Sequence, residues 1–186
     1  MAPRAKRNYV NNKDLFEALS AYLVKCQAVE DYNTANADDE TIPEKRMPQV
    51  PSYIGECIFH IATRLASKSN FSGYAYRDDM IMDGVENCLQ YIRNFKPEKS
   101  NNPFAYFTSI IWYAFIRRIQ KEKKQMYIRY KSSHNMIGNG GTYESDEVQL
   151  HLTTSADYIN DFVAAYEEGM DTKRAKNKKA VDNDDG

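Results

Sequence analysis

Cysteine is scarce: Cys26, Cys57 and Cys88 are the only three in 186 residues. They are unevenly spaced, form no CxxC pair and have no His at ligand spacing, which argues against both a disulfide framework and a zinc site. All three fall in helical apolar patterns and read as core thiols of a protein in a reducing compartment. No apolar run reaches the roughly 20 residues of a membrane-spanning helix. The opening MAPRAKRNYVNNK has no apolar stretch for a signal peptide, so a soluble, intracellular protein is expected. Strand-like alternation and internal repeats are also lacking, which leaves an all-α reading. Charge of one sign is missing overall: 25 Lys and Arg stand against 26 Asp and Glu. A uniformly basic nucleic-acid binder is thereby excluded, and attention moves from the average to the blocks.

The blocks are pronounced. Between Trp112 and Lys131 seven Lys and Arg face one acid, Glu122; from Glu144 to Asp171 there are eight acids and no Lys or Arg; from Lys173 to Lys179 five of seven residues are basic. The last residues, VDNDDG, turn acidic again. The length suggests one modest core with appendages.

Helical periodicity and its punctuation divide the chain in three. Residues 1–50 hold a disordered start, a helix capped by Asn11 or Asn12 and running to about Ala28, and a Pro-rich linker over 30–52. Leu15, Leu19, Tyr22 and Leu23 share one side of that helix. Residues 51–131 form the central helical domain. Ser52 is expected to cap a helix carrying Ile54, Cys57, Ile58, Ile61 and Leu65, ending near Ser69. FSGY (71–74) is a glycine turn, and a helix follows from Arg77 to about Asn94. Pro103 opens the next helix from its favoured first-turn position, to about Tyr130. Residues 132–186 comprise the loop HNMIGNGGTYES, an amphipathic helix near Ala156–Met170, and a partly disordered acidic and basic tail.

Two faces carry candidate chemistry. Asp79, Asp83 and Glu86, spaced by four and three, share one face of the Arg77–Asn94 helix, while Ile81, Val85, Cys88, Leu89 and Ile92 lie on another. On the helix from Pro103, Phe104, Ile111, Phe115, Ile119 and Met126 form a core stripe with Trp112 at its edge. Tyr106, Ile110, Tyr113, Arg117, Lys121 and Lys124 line the opposite side, aromatic first and basic after. Unpaired bases stack on aromatic rings while Lys and Arg neutralise phosphate, so this order suits a junction of melted and duplex DNA. A solvated face with basic residues favoured near a helix C-terminus accounts for the same run. For the three carboxylates, spacing alone describes a solvent-facing surface. Neither a third ligand nor a His partner nor a phosphate-binding loop accompanies them, so no catalytic residue, metal or cofactor is expected. His60, His134 and His151 read as structural or solvent-facing, and GNGG (138–141) as a turn.

At these residues the chain resembles region 2 of bacterial sigma-70-type factors. Asp79-Met80-Ile81-Met82-Asp83-Gly84 stands for an Asp-Leu-Ile-x-Glu-Gly motif, Asn94-Phe95-Lys96 for a Lys-Phe-Asp segment at the same spacing, and Phe104-Ala105-Tyr106-Phe107 for a Phe-x-x-Tyr helix start. Coverage is about residues 52–131. A closer likeness, extending to Asn8-Tyr9-Val10-Asn11-Asn12-Lys13 and FSGY, is to the late-transcription sigma factors of T-even-like bacteriophages. The resemblance implies a compact helical bundle with no enzymatic activity, working in the cytoplasm of an infected bacterium. It would direct host RNA polymerase to viral late promoters by recognising and melting an AT-rich upstream element. Asp79 and Asp83 would meet the coiled-coil clamp helices of the largest core polymerase subunit, flanked by Met82, Glu86 and Leu89. Phe104, Phe107, Ile110 and Ile111 match positions that hold the melted non-template strand, and Ala114, Arg117 and Arg118 match positions at the upstream duplex edge.

Departures accompany the likeness. Ile110 and Ile111 replace two neighbouring tryptophans, which weakens stacking there; Tyr106 or Tyr113 is the available substitute. The resemblance also implies a replication sliding clamp and a late coactivator as partners, yet KKAVDNDDG lacks the apolar run of the clamp-binding motif. The alternative reading is a self-standing helical DNA-binding regulator without polymerase docking. A third is an assembly adaptor with no nucleic-acid role.

Overall fold

In the computed structural model, residues 9–37, 41–138 and 161–172 are described. Backbone alone is described for 133–138. Among them the regular structure is entirely helical: α1 (Asn12–Ala35), α2 (Ser52–Ala66), a single turn α3 (Ser69–Ser72), α4 (Arg77–Tyr91) running into a 3-10 turn (Ile92–Asn94), α5 (Pro103–Gly138), and α6 over residues 161–172. The all-α expectation holds. The chain divides into two compact units, Met1–Arg118 and Ile119–Gly186, with the boundary inside α5.

The first unit is built around α2. Its Ile54, Cys57, Ile58, Ile61, Ala62, Leu65 and Ala66 are all buried, a spacing of three and four that puts one continuous apolar stripe on a helix. Helices α1 and α4 pack against it. Helix α1 contributes Leu15, Leu19, Tyr22 and Cys26, and α4 contributes Met80, Ile81, Gly84 and Cys88. Phe71 of α3 is fully buried and meets Trp112 and Phe115 edge-on, with ring centroids 4.9 and 5.1 Å away. The three thiols are free and buried in this core, as their apolar settings predict.

Several boundaries differ from the sequence reading, each for a local reason. Asn11 does cap α1, its side-chain oxygen accepting from the Lys13 N–H at 3.1 Å. The helix then runs seven residues past Ala28 because the following segment pairs with it. Asn33 donates its side-chain amide to the Lys45 carbonyl and accepts from the Lys45 N–H, both at 2.9 Å. Lys45 also lies over the Tyr32 ring, 3.5 Å from its centroid, and Tyr22 donates to the Pro48 carbonyl at 3.3 Å. The described part of the Pro-rich linker, residues 41–51, is therefore a strap along α1. Ser52 does not cap α2; it is the first helical residue, Pro51 occupies the cap without a side-chain bond, and the Pro51 carbonyl takes the Ile54 and Gly55 N–H groups. Of FSGY (71–74), expected as a glycine turn, Phe71 and Ser72 instead belong to the single helical turn α3 that starts at Ser69. Helix α5 continues past Tyr130 to Gly138 because no proline or glycine interrupts it before the GNGG sequence.

The start of α5 is fixed twice. Asn102 caps it, its side-chain oxygen accepting from the Ala105 N–H at 3.0 Å, and Pro103 takes the first-turn position. From α1, Asn12 accepts the Phe104 N–H at 3.1 Å and donates to the Asn101 carbonyl at 3.2 Å.

In the second unit, the α5 residues Tyr127, Tyr130 and Lys131 meet α6. Tyr127 stacks on Tyr166 at 4.7 Å, Tyr130 sits edge-on to Phe162 at 5.6 Å, and Glu167 accepts from both Tyr127 Oη and Lys131 Nζ at 2.6 Å. Of the amphipathic helix expected at Ala156–Met170, residues 156–160, with Tyr158 and Ile159, lie outside the described residues. So do most of the 134–145 loop and the tail.

Candidate partner and nucleic-acid interface

Helices α4 and α5 form an antiparallel pair in the first unit, closest where α4 has no side chain. A Cβ on Gly84 would lie 3.1 Å from Ile111 Cγ2 and 3.2 Å from Phe115 Cε1. One turn on, the Cys88 Sγ faces the Phe107 carbonyl at 3.8 Å. Such a crossing commits one side of each helix to the core. On α5 that side is Phe107, Ile111, Ala114 and Phe115, all between 0 and 2% exposed.

This placement corrects three of the nucleic-acid positions. Phe107, Ile111 and Ala114 belong to the core, so they offer no surface to a DNA strand in this conformation. The stripe through Ile111 continues back to Phe107, four residues earlier, rather than to Phe104. Phe104 is half-buried, with Tyr9 edge-on to its ring at 6.0 Å. What stays on the outside is a ridge of Tyr106, Ile110, Tyr113 and Arg117. Its two ends are tied to α4: Tyr106 Oη donates to the Tyr91 carbonyl at 2.7 Å, and Arg117 donates to Asn87 Oδ1 at 2.6 Å. Tyr106 packs on Phe95 and Phe107, and its phenol is raised above the ordinary value by burial first and the nearby Cys88 second. Between the ties, Ile110 is half-buried and Tyr113 is 64% exposed, the most open ring among the described side chains of α5. Tyr113 is thus the α5 aromatic best placed for stacking. Lys121 and Lys124 lie in the second unit, both exposed on α5.

The outer side of α4 carries Asp79, Met82, Glu86 and Leu89. Met82 and Leu89 are 56% and 41% exposed, large apolar side chains in water on either side of an exposed carboxylate. Contiguous exposed apolar surface rimmed by charge marks contact sites. Leu89, placed with the apolar face by the sequence pattern, is on this outer side instead; Met80 takes the core position.

Asp79 and Asp83 are joined to Arg118. Its two terminal nitrogens reach Asp79 Oδ2 at 2.9 Å and Asp83 Oδ2 at 3.3 Å, with the Arg118 side chain 18% exposed. A residue expected at the DNA edge therefore binds two carboxylates expected to meet polymerase. Sequence reasoning missed this link, and missed Asn87 and Tyr91 as the α4 partners of the ridge. Asn87 was findable as the residue four after Asp83. The reach of Asn12 to α5 had no local signal, because 89 and 92 residues separate the partners.

Among the described residues no group of three or more His, Cys, Asp or Glu could hold a metal ion, and no helix is long and apolar enough to cross a membrane. Comparison of the chain with protein-family models and with curated proteins returns no match.

Proposed function

We propose that this protein is a sigma factor of the late-transcription phage type, binding a bacterial RNA polymerase core in the infected cell and directing it to viral late promoters. The observation that carries the reading is the exposed Asp79–Met82–Glu86–Leu89 face on one helix of a tight antiparallel pair. It occupies the positions at which the sequence resembles the polymerase-contact helix of sigma region 2. A basic, amphipathic coiled-coil surface, such as the clamp helices of the largest polymerase subunit, has the complementary chemistry. Opposite charges steer the encounter and fix register, and the two apolar side chains supply buried area.

The ridge of Ile110, Tyr113 and Arg117 on α5 supports the nucleic-acid half. An open tyrosine ring stacks on any unpaired base, and Arg117 neutralises phosphate. Capturing the unpaired strand in preference to duplex shifts the melting equilibrium of an AT-rich element, which is work done by differential binding. The chain contributes no bond-making step in this reading. Sliding-clamp and coactivator coupling would be added through partners.

The test is co-purification with core polymerase. Asp79→Lys/Asp83→Lys should lose core binding. Glu86→Lys should weaken it, and Glu86 makes no ion pair among the described residues, so the second variant reports docking without disturbing the fold. Core binding by both variants at wild-type strength would end the proposal. Core polymerase with the wild-type chain should also initiate from a supercoiled template bearing a short AT-rich upstream element.

A further inference from the structure

Past Arg118, α5 changes character. From Ile119 to Lys131 it holds five Lys and Arg against one acid, whereas α6, over residues 161–172, holds four acids and no Lys or Arg. In the second unit the two helices meet at one spot. Tyr166 lies flat on Tyr127, with ring centroids 4.7 Å apart and planes 22° from parallel. Beside it Glu167 accepts from Lys131 Nζ and Tyr127 Oη, both at 2.6 Å, and Phe162 meets Tyr130 edge-on at 5.6 Å. A flat ring on one tyrosine with an anionic oxygen on the adjoining lysine is what a nucleotide of a single strand presents: a base to stack and a phosphate to neutralise. Tyr127 and Lys131 are four apart and share a face of α5, and the exposed Lys124 precedes Tyr127 by three on that face. The face therefore alternates cation, ring, cation. Its cover is light. No side chain of α6 is buried, and Phe162, Tyr166 and Glu167 are all half-buried. A helix of this length is marginal alone, and an exposed ion pair adds little.

We infer that Tyr127, Tyr130 and Lys131 form a further site for single-stranded DNA, and that α6 closes it in the free chain, with Tyr166 standing where a base would stack and Glu167 where a phosphate would sit. Strand and α6 then exclude each other. A site that its own chain closes nine-tenths of the time binds about tenfold more weakly than the open site, so α6 sets how tightly the strand is held. The site lies wholly in the second unit and needs neither polymerase docking nor stacking on Tyr113.

The experiment uses the full-length protein without polymerase and a fluorescent oligothymidine strand. Tyr166→Ala/Glu167→Gln should bind it about three- to tenfold more tightly than wild type. Glu168→Gln, the same loss of one negative charge on the next residue of α6, sets the contribution of charge alone. Adding Tyr127→Ala/Lys131→Gln to the opened variant should remove the gain, while adding Lys25→Gln, an equal charge change at an exposed residue of α1, should keep it. Strand binding through Tyr113 and Arg117 is common to all these variants and drops out of the comparison. A gain no larger than that of Glu168→Gln, or one that survives the loss of Tyr127 and Lys131, would overturn the inference. So would an equal gain on a duplex of the same length, which offers no unpaired base. In the wild-type chain, saturating strand should speed amide hydrogen exchange over residues 161–172 as α6 is released, and unchanged exchange there counts equally against the site. Core co-purification is read separately, so failure of either result leaves the other standing.

Discussion

Phe71 and Met82 are eleven positions apart in sequence and opposite in physical role. Phe71 is 1% exposed among Trp112 and Phe115, so Phe71→Ala should cost about 3–5 kcal/mol, through lost transfer energy and the cavity left behind. Met82 faces water, so Met82→Ala should stay within about 0.5 kcal/mol of wild type while weakening core binding. Urea denaturation of both variants separates the two. The cysteines were legible as core thiols from their helical settings. All three are buried from reagent, and burial also pushes the Cys88 thiol up to about 12, so an alkylating reagent at pH 8 should leave the folded protein unmodified and label all three thiols in denaturant. The Arg118 fork was not legible. A string of letters records that an arginine and two aspartates exist on two helices, but their meeting depends on how α4 and α5 cross.

At the scale of elements, the α4–α5 crossing rests on Gly84. The nearest side-chain atoms belong to Ile111 and Phe115, both fully buried and unable to retreat into solvent. Gly84→Val should therefore destabilise by about 1–3 kcal/mol through overpacking, despite the higher helix propensity of most residues over glycine. A thermal melt followed by circular dichroism reads the loss. Helix identity was readable from periodicity at α2, α4 and α5, where apolar residues recur at three and four. Helix ends were less so. The extension of α1 to Ala35 depends on Asn33 meeting Lys45 across the chain, and the continuation of α5 to Gly138 runs through polar sequence that carries no stop signal. The ridge on α5 was half readable. A wheel separates its inside from its outside, but cannot tell that Phe107 rather than Phe104 completes the inside.

For the molecule as a whole, alkali is the condition to which the fold should respond. Cys88 and Tyr22 are both raised to about 12, Cys88 by burial, and Tyr22 by burial first and by its hydrogen bond with Cys26 second. Each releases its proton more easily when unfolded, so the stability they lend is fully present below about pH 9 and declines as the pH climbs towards 12. The melting temperature should fall across that interval, and Cys88→Ala should flatten part of the fall. At the acid end the second unit is the responsive one. Glu167 is held below its ordinary value by hydrogen bonds from Lys131 and then Tyr127; the contribution is present above the unfolded carboxyl pKa and is lost as the pH drops through the folded one. Proteolysis is a further matter on which the strap along α1 decides. Trypsin must draw a basic side chain into its specificity pocket and pull the flanking backbone straight. Lys45, exposed like Arg46 beside it, has its N–H and carbonyl held by Asn33 and its ammonium seated on Tyr32, contacts that Arg46 does not share. In a digestion time course the bond after Arg46 should open before the bond after Lys45, and Asn33→Ala should erase the difference. A stretch whose prolines and charges mark it as the chain's obvious nicking site would then be cut in an order set by a single asparagine.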